Sequence, residues 1–155
     1  MANVFDVAEY ILEQTGFVST MKLQKLAFYS NALSLVRDGA PLFDDMFQAW
    51  VNGPVCPALF HAHRGRFIIG PGQLTAPGDA AKLTDHERRL ISHTVDALGG
   101  YDGQQLSDLS HREAPWRDAR RGCGDEDRCT AVISNAAIRR YYSVPSCQNP
   151  LFCQA

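Results

Sequence analysis

The segment from Ser19 to Arg37 limits what this chain can fold into more than any other stretch. Leu23, Leu26, Ala27, Phe28, Leu33, Leu35 and Val36 place apolar groups around every side of a helix drawn over it. A helix that is apolar all round must be enclosed by the rest of its domain. Ser19 or Thr20 opens it, and Gly39 followed by Pro41 ends it. With 155 residues the chain makes one domain with a sizeable core. The other elements must therefore wrap this helix. The expected fold is mainly α, a compact single domain of six or seven helices with at most one short β-hairpin.

The flanking segments fit that plan. Asn3 and Asp6 have the spacing of a capping box, and Val4, Val7, Ala8, Ile11 and Leu12 share one face of a first helix that stops at Gly16. Residues 46–51 are short and apolar, and periodicity leaves strand and helical turn open. Pro57 suits the first turn of a helix reaching His63 or Arg64. Phe67, Ile68 and Ile69 read as a partner for residues 46–51 in a small hairpin, and residues 70–83 as a surface loop. Thr84 and Glu87 form a second capping box, opening a helix with Leu90, Ile91, Thr94, Val95 and Leu98 inward and Gly99 at its end. Leu106 and Leu109 predict a short helix, Pro115 a turn carrying Trp116, residues 121–129 a loop, and Ser134 the cap of a last helix. The domain is expected to span residues 1–145, leaving an aperiodic tail over 146–155.

Charge narrows the partners. Lys and Arg number 15 against 17 Asp and Glu, a net of −2, which removes the strongest argument for non-specific nucleic-acid binding. Twelve of the basic residues are Arg, a side chain suited to bidentate contact with acidic protein partners, although surface charge is more often solvation. No run approaches the ~18 apolar residues of a membrane span. The first residues lack the basic and apolar regions of a secretory signal. A cytoplasmic protein with no membrane partner is expected.

The candidate chemistry is thin. Cys123 and Cys129 enclose five residues, as do Cys147 and Cys153, whereas structural zinc sites use two to four. Ordinary reduced thiols are the favoured reading, and nothing speaks for an oxidising compartment. His61 and His63 point to different helix faces, and His86 and His93 lie two turns apart. Cys56, ahead of the helix started by Pro57 and paired with His61 or His111, is the one candidate nucleophile; a core thiol is the commoner outcome. No catalytic residue, cofactor or metal is expected, with a small cysteine-dependent enzyme or metal-binding protein as the alternative. Trp50, Phe60, Trp116, Tyr141 and Tyr142 fit both core packing and a protein-binding surface.

Taken together, several blocks resemble a known family. Lys22, Leu23, Gln24, Lys25, Leu26, Ala27, Phe28 and Tyr29 look like the central-helix signature of the Panacea domain family, the SocA-type or GepA-like antitoxins. Pro41, Leu42 and Phe43 follow, then Ala49, Trp50, Gly53, Pro54, Val55 and Pro57 at the family's spacing. Leu106, Leu109, His111, Glu113, Pro115, Trp116, Ala119 and Arg120 form a further block, and Ile133, Ser134, Ile138, Tyr141 and Tyr142 close the match. The usual aromatic before Gly53 is Asn52 here. The resemblance implies an antitoxin that neutralises a cognate protein toxin by direct binding. For members close to SocA it also implies an adaptor that presents the toxin to the ClpXP protease. It implies no catalytic residue set and no cofactor. Because the match concentrates in two blocks, the partner-binding surface is expected at Trp50, Asn52, Gly53 and Pro54 together with His111, Arg112, Trp116 and Arg117.

Overall fold

The computed structural model describes residues 2–153. The long helix Thr20–Asp38 (α2) lies at its centre, with every residue from Leu23 to Leu35 buried. Ser19 caps it by accepting a hydrogen bond from the Lys22 amide, and Gly39 ends it in the left-handed conformation. Four helices pack against it: Val4–Thr15 (α1), Asp85–Leu98 (α4), Gly103–His111 (α5) and Asn135–Tyr142 (α7). Both expected capping boxes form, Asn3 with Asp6 on α1 and Thr84 with Glu87 on α4. A third, Asp102 with Gln105, opens α5. Pro57–His63 (α3) and Ala114–Ala119 (α6) bring the described helices to seven, a mainly α fold as the pattern requires. Beneath the middle of α2, Phe28 meets Phe47 edge to face at 5.2 Å and Tyr142 at 6.4 Å.

The ambiguous segment 46–51 is a strand, Phe47–Trp50 (β2), turned through Val51 and Asn52 into Gly53–Val55 (β3). The hairpin register pairs Gln48 with Val55, Ala49 with Pro54 and Trp50 with Gly53. Its other edge takes Val132–Ile133 (β5), with Phe47 opposite Ile133. Both edges of β2 are thus filled, which is why Phe67–Ile69 does not pair with it as the sequence led us to expect. Ile68–Ile69 (β4) pairs instead with Val18–Ser19 (β1), just ahead of α2. Pro115 does not begin a turn; it occupies the first turn of α6, where its missing N–H has no intrahelical partner to lose. The loop over 70–83 contains a 3-10 turn, Ala80–Lys82, and buries Leu74 and Leu83.

The cysteines differ from expectation. Cys123 and Cys129 are joined in a disulfide, their Cα atoms 6.1 Å apart, where two free thiols were expected. The physical reason lies in Arg120, which is buried and gathers the loop that carries them. Its guanidinium donates to the carbonyls of Gly124 at 2.8 Å, Asp127 at 2.8 Å and Asp125 at 3.3 Å. Cys147, Asn149 and Leu151 of the C-terminal segment are buried as well, and Phe152 stacks on Tyr142 at 4.7 Å.

Candidate functional site

The two motif blocks, more than fifty residues apart, meet at the turn of the β2–β3 hairpin. Three of its carbonyls each receive a donor from the α5–α6 corner. Arg120 Nη1 donates to Ala49 O at 2.9 Å, Trp116 Nε1 to Trp50 O at 2.7 Å, and Ser107 Oγ to Asn52 O at 2.7 Å. A carbonyl left bare at a buried turn would cost about 1–3 kcal/mol, so each donor matters. His111 stacks on the Trp116 ring at 4.0 Å and 17°, and the Arg120 guanidinium lies 5.2 Å from the ring centroid. The corner is a clamp on the turn.

Glu113 fastens the clamp to the core. Its carboxylate, 4% exposed, accepts from the Tyr29 hydroxyl at 2.5 Å, the Tyr142 hydroxyl at 2.7 Å and the Asn149 amide at 2.7 Å. One side chain therefore ties α2, α7 and the C-terminal segment to the α5–α6 corner. Burial raises its pKa above the usual glutamate value, an effect the three donors oppose.

On the α2 side, Gln24 bonds both backbone groups of Cys56, accepting from its amide at 2.9 Å and donating to its carbonyl at 3.3 Å, and lies 3.0 Å from His63 Nε2. Lys25 then passes beneath Gly53. A Cβ on Gly53 would lie 2.5 Å from Lys25 Cε and 2.9 Å from Ser110 Oγ, and its φ of +110° excludes ordinary side chains. Glycine is required there twice over. Above Lys25 opens a cleft of about 620 Å³, walled by Met21, Trp50, Val55 and Phe60. Trp50 and Phe60 meet edge to face at 5.0 Å.

The expected surface residues divide into three groups. Gly53 and Pro54 are buried and shape the turn. Trp50, His111 and Trp116 are half-buried, with ring faces used in packing; His111 Nε2 is enclosed and has no hydrogen-bond partner among the described residues. Burial holds the His111 pKa below the ordinary histidine value. Asn52, Arg112 and Arg117 are exposed. Arg117 reaches back to the Arg112 carbonyl at 3.4 Å, so the two arginines share one flank.

Lys25, Gln24 and His63 are not legible as site residues in the sequence, and Arg120, which sequence alone would put on the charged rim with Arg112, Arg117 and Arg121, is buried and spent on backbone carbonyls. The available signal for Lys25 was a cation inside a helix apolar on every side. Cys56, by contrast, is a core thiol that burial pushes up to about 11, away from nucleophilic use at neutral pH. Among the described residues no three His, Cys, Asp or Glu side chains are grouped so as to hold a metal ion. No helix of the described residues is long and apolar enough to cross a membrane.

The chain is similar to Antitoxin SocA of Caulobacter vibrioides (strain NA1000 / CB15N), 29% identical over 114 residues that cover 64% of this chain. It spans 58% of that relative's length. No solved structure matches. The family model for Antitoxin SocA-like, Panacea domain, matches residues 23–117, which take in α2 from Leu23 onward, the hairpin and most of the clamp. The chain belongs to the SocA-like Panacea domain family of antitoxins.

Proposed function

We propose that this protein is the antitoxin of a bacterial toxin–antitoxin pair, acting in the cytoplasm by direct contact with a cognate protein toxin, without catalysis or a cofactor. The contact surface is the clamped turn: Trp50, Asn52, Gly53 and Pro54 with His111, Arg112, Trp116 and Arg117. One observation carries this placement. Trp116 Nε1 bonds Trp50 O while His111 stacks behind it, so exposed Asn52, Arg112 and Arg117 stand on a rigid frame. A fixed frame with a charged rim suits protein recognition, because little side-chain or loop ordering is lost on binding. The buried members, Gly53 and Pro54, contribute by shaping the turn. The interaction unit is residues 1–145, to which Asn149 of the following segment is fastened by Glu113. Delivery of the bound toxin to ClpXP is the second element of the proposal, resting on the family relationship.

The test is co-expression with the toxin encoded in the adjacent reading frame. The parent should restore growth, and a folded Arg112→Glu/Arg117→Glu variant should not. Equal rescue by both places the contact elsewhere. For the adaptor role, purified ClpXP should degrade the toxin faster when this chain is present; an unchanged rate leaves occlusion as the mechanism.

A further inference from the structure

The cleft beside the hairpin turn holds a group that nothing described so far employs. Lys25 is 1% exposed and lines the cleft, yet its ammonium has no hydrogen bond or ion pair to any described residue. A buried amine without a partner is costly to retain, and an all-apolar position on α2 would pack a methionine or leucine more cheaply. Three of the polar side chains beside it are already engaged. Gln24 is committed to Cys56 and His63, Thr20 Oγ1 donates to Arg66 O, and Ser110 Oγ donates to Ser107 O. Lys25 is the one deeply buried cation-forming group in the cleft with all its donors free.

We propose that this cleft binds a small carboxylic acid carried on an aromatic or apolar body, its carboxylate pairing with Lys25 Nζ and its body lying against Trp50, Phe60 and Met21. The volume, about 620 Å³, falls within the range of small-ligand sites, and the lining joins an apolar wall of Met21, Trp50, Val55 and Phe60 to the Lys25 ammonium. A single ammonium matches a monoanion. A phosphate would call for several donors at the cleft floor, where Lys25 supplies one; at the rim Glu126 and Arg128 offset each other. Gly53 is what lets Lys25 reach the cleft floor, since any side chain there would displace its Cε. This reading is independent of toxin binding.

The ammonium's acidity agrees with that geometry. Burial lowers the Lys25 pKa to about 7, so an arriving carboxylate should raise it and draw a proton from solvent. The other charged or titratable groups around it are His63 on α3, His111 on α5, and Glu126 and Arg128 at the rim. Burial holds both histidines below their ordinary pKa.

The probe is 3-phenylpropionate, compared with 3-phenylpropionamide and with inorganic phosphate, on the full chain labelled at lysine. Only Lys22, Lys25 and Lys82 are present, so three side-chain signals report. The acid should bind at least about tenfold more tightly than the amide, a charge-assisted hydrogen bond being the difference. Its addition should also move the Lys25 titration midpoint upward from near 7 while Lys22 and Lys82 stay put. Lys25→Met should fold and bind acid and amide alike. Equal binding of acid and amide by the parent, an unmoved Lys25 signal, or a larger shift with phosphate overturns the proposal, and none of these needs the variant.

Discussion

Replacing Glu113 with Gln probes the network that joins the clamp to the core. In the parent, one carboxylate oxygen accepts from both tyrosines and the other from Asn149 Nδ2. A glutamine in the same rotamer keeps a carbonyl for the tyrosines but turns its NH₂ toward the Asn149 NH₂. Two donors then face each other in a buried site, which costs about 1–3 kcal/mol. For a domain of this size that is a fall in Tm of roughly 2–12 °C. Thermal melts followed by circular dichroism measure it. Adding Asn149→Asp returns an acceptor opposite the glutamine and should recover much of the loss.

The pH dependence carries a sign. Burial raises the Glu113 pKa in the folded state, so its contribution to stability is full below the ordinary glutamate range. That contribution is lost as pH rises through the folded value. The gap between parent and Glu113→Gln should therefore be widest in acid and narrow toward neutrality. No loss of stability, no rescue by Asn149→Asp, or a gap that widens with pH would refute the reasoning.

Three further outcomes follow from the same geometry. Arg120→Met should cost several kcal/mol, because it leaves the carbonyls of Ala49, Gly124 and Asp127 bare; the loop over 121–131 should become sensitive to limited proteolysis while α2 keeps its amide-exchange protection. Gly53→Ala should lower stability by ~1–3 kcal/mol or more, since strain at φ +110° adds to the clash with Lys25 Cε, and a melt equal to the parent's would contradict the turn geometry. Chelator treatment should leave Tm unchanged; a fall, with zinc found by elemental analysis, would assign the cysteines a metal.

Much of the frame is legible in local sequence. The all-round apolar pattern from Leu23 to Val36 forces a central helix, and each capping box lies within four consecutive residues, so neither needs knowledge of the tertiary fold. Strand pairing is different. Phe67–Ile69 has the right composition for residues 46–51, but the choice depends on β3 and β5 already occupying both edges of β2. Pro115 marks a helix start as readily as a turn, and only the preceding Glu113, held by three donors, decides between them. The two motif blocks are visible in sequence, as is their expected meeting. What is not visible is that three hairpin carbonyls need donors and that Arg120, Trp116 and Ser107 supply them. Exposure was hidden too: His111 reads as a surface histidine, yet its ring is consumed by Trp116. Lys25 differs from its helical neighbours only by its charge, and its vacant ammonium emerges once the cleft is formed.

The central claim is that the exposed flank of the clamped turn contacts a toxin. The direct measurement is the affinity of the purified protein for the purified product of the adjacent reading frame, by calorimetry, for the parent and for Arg112→Glu/Arg117→Glu. Both arginines are exposed, so the variant should melt within about 1 °C of the parent, as surface substitutions of this kind usually do. Binding should weaken by ~1–3 kcal/mol or more, about fivefold to over a hundredfold. A folded variant that binds with the parent's affinity would contradict the account.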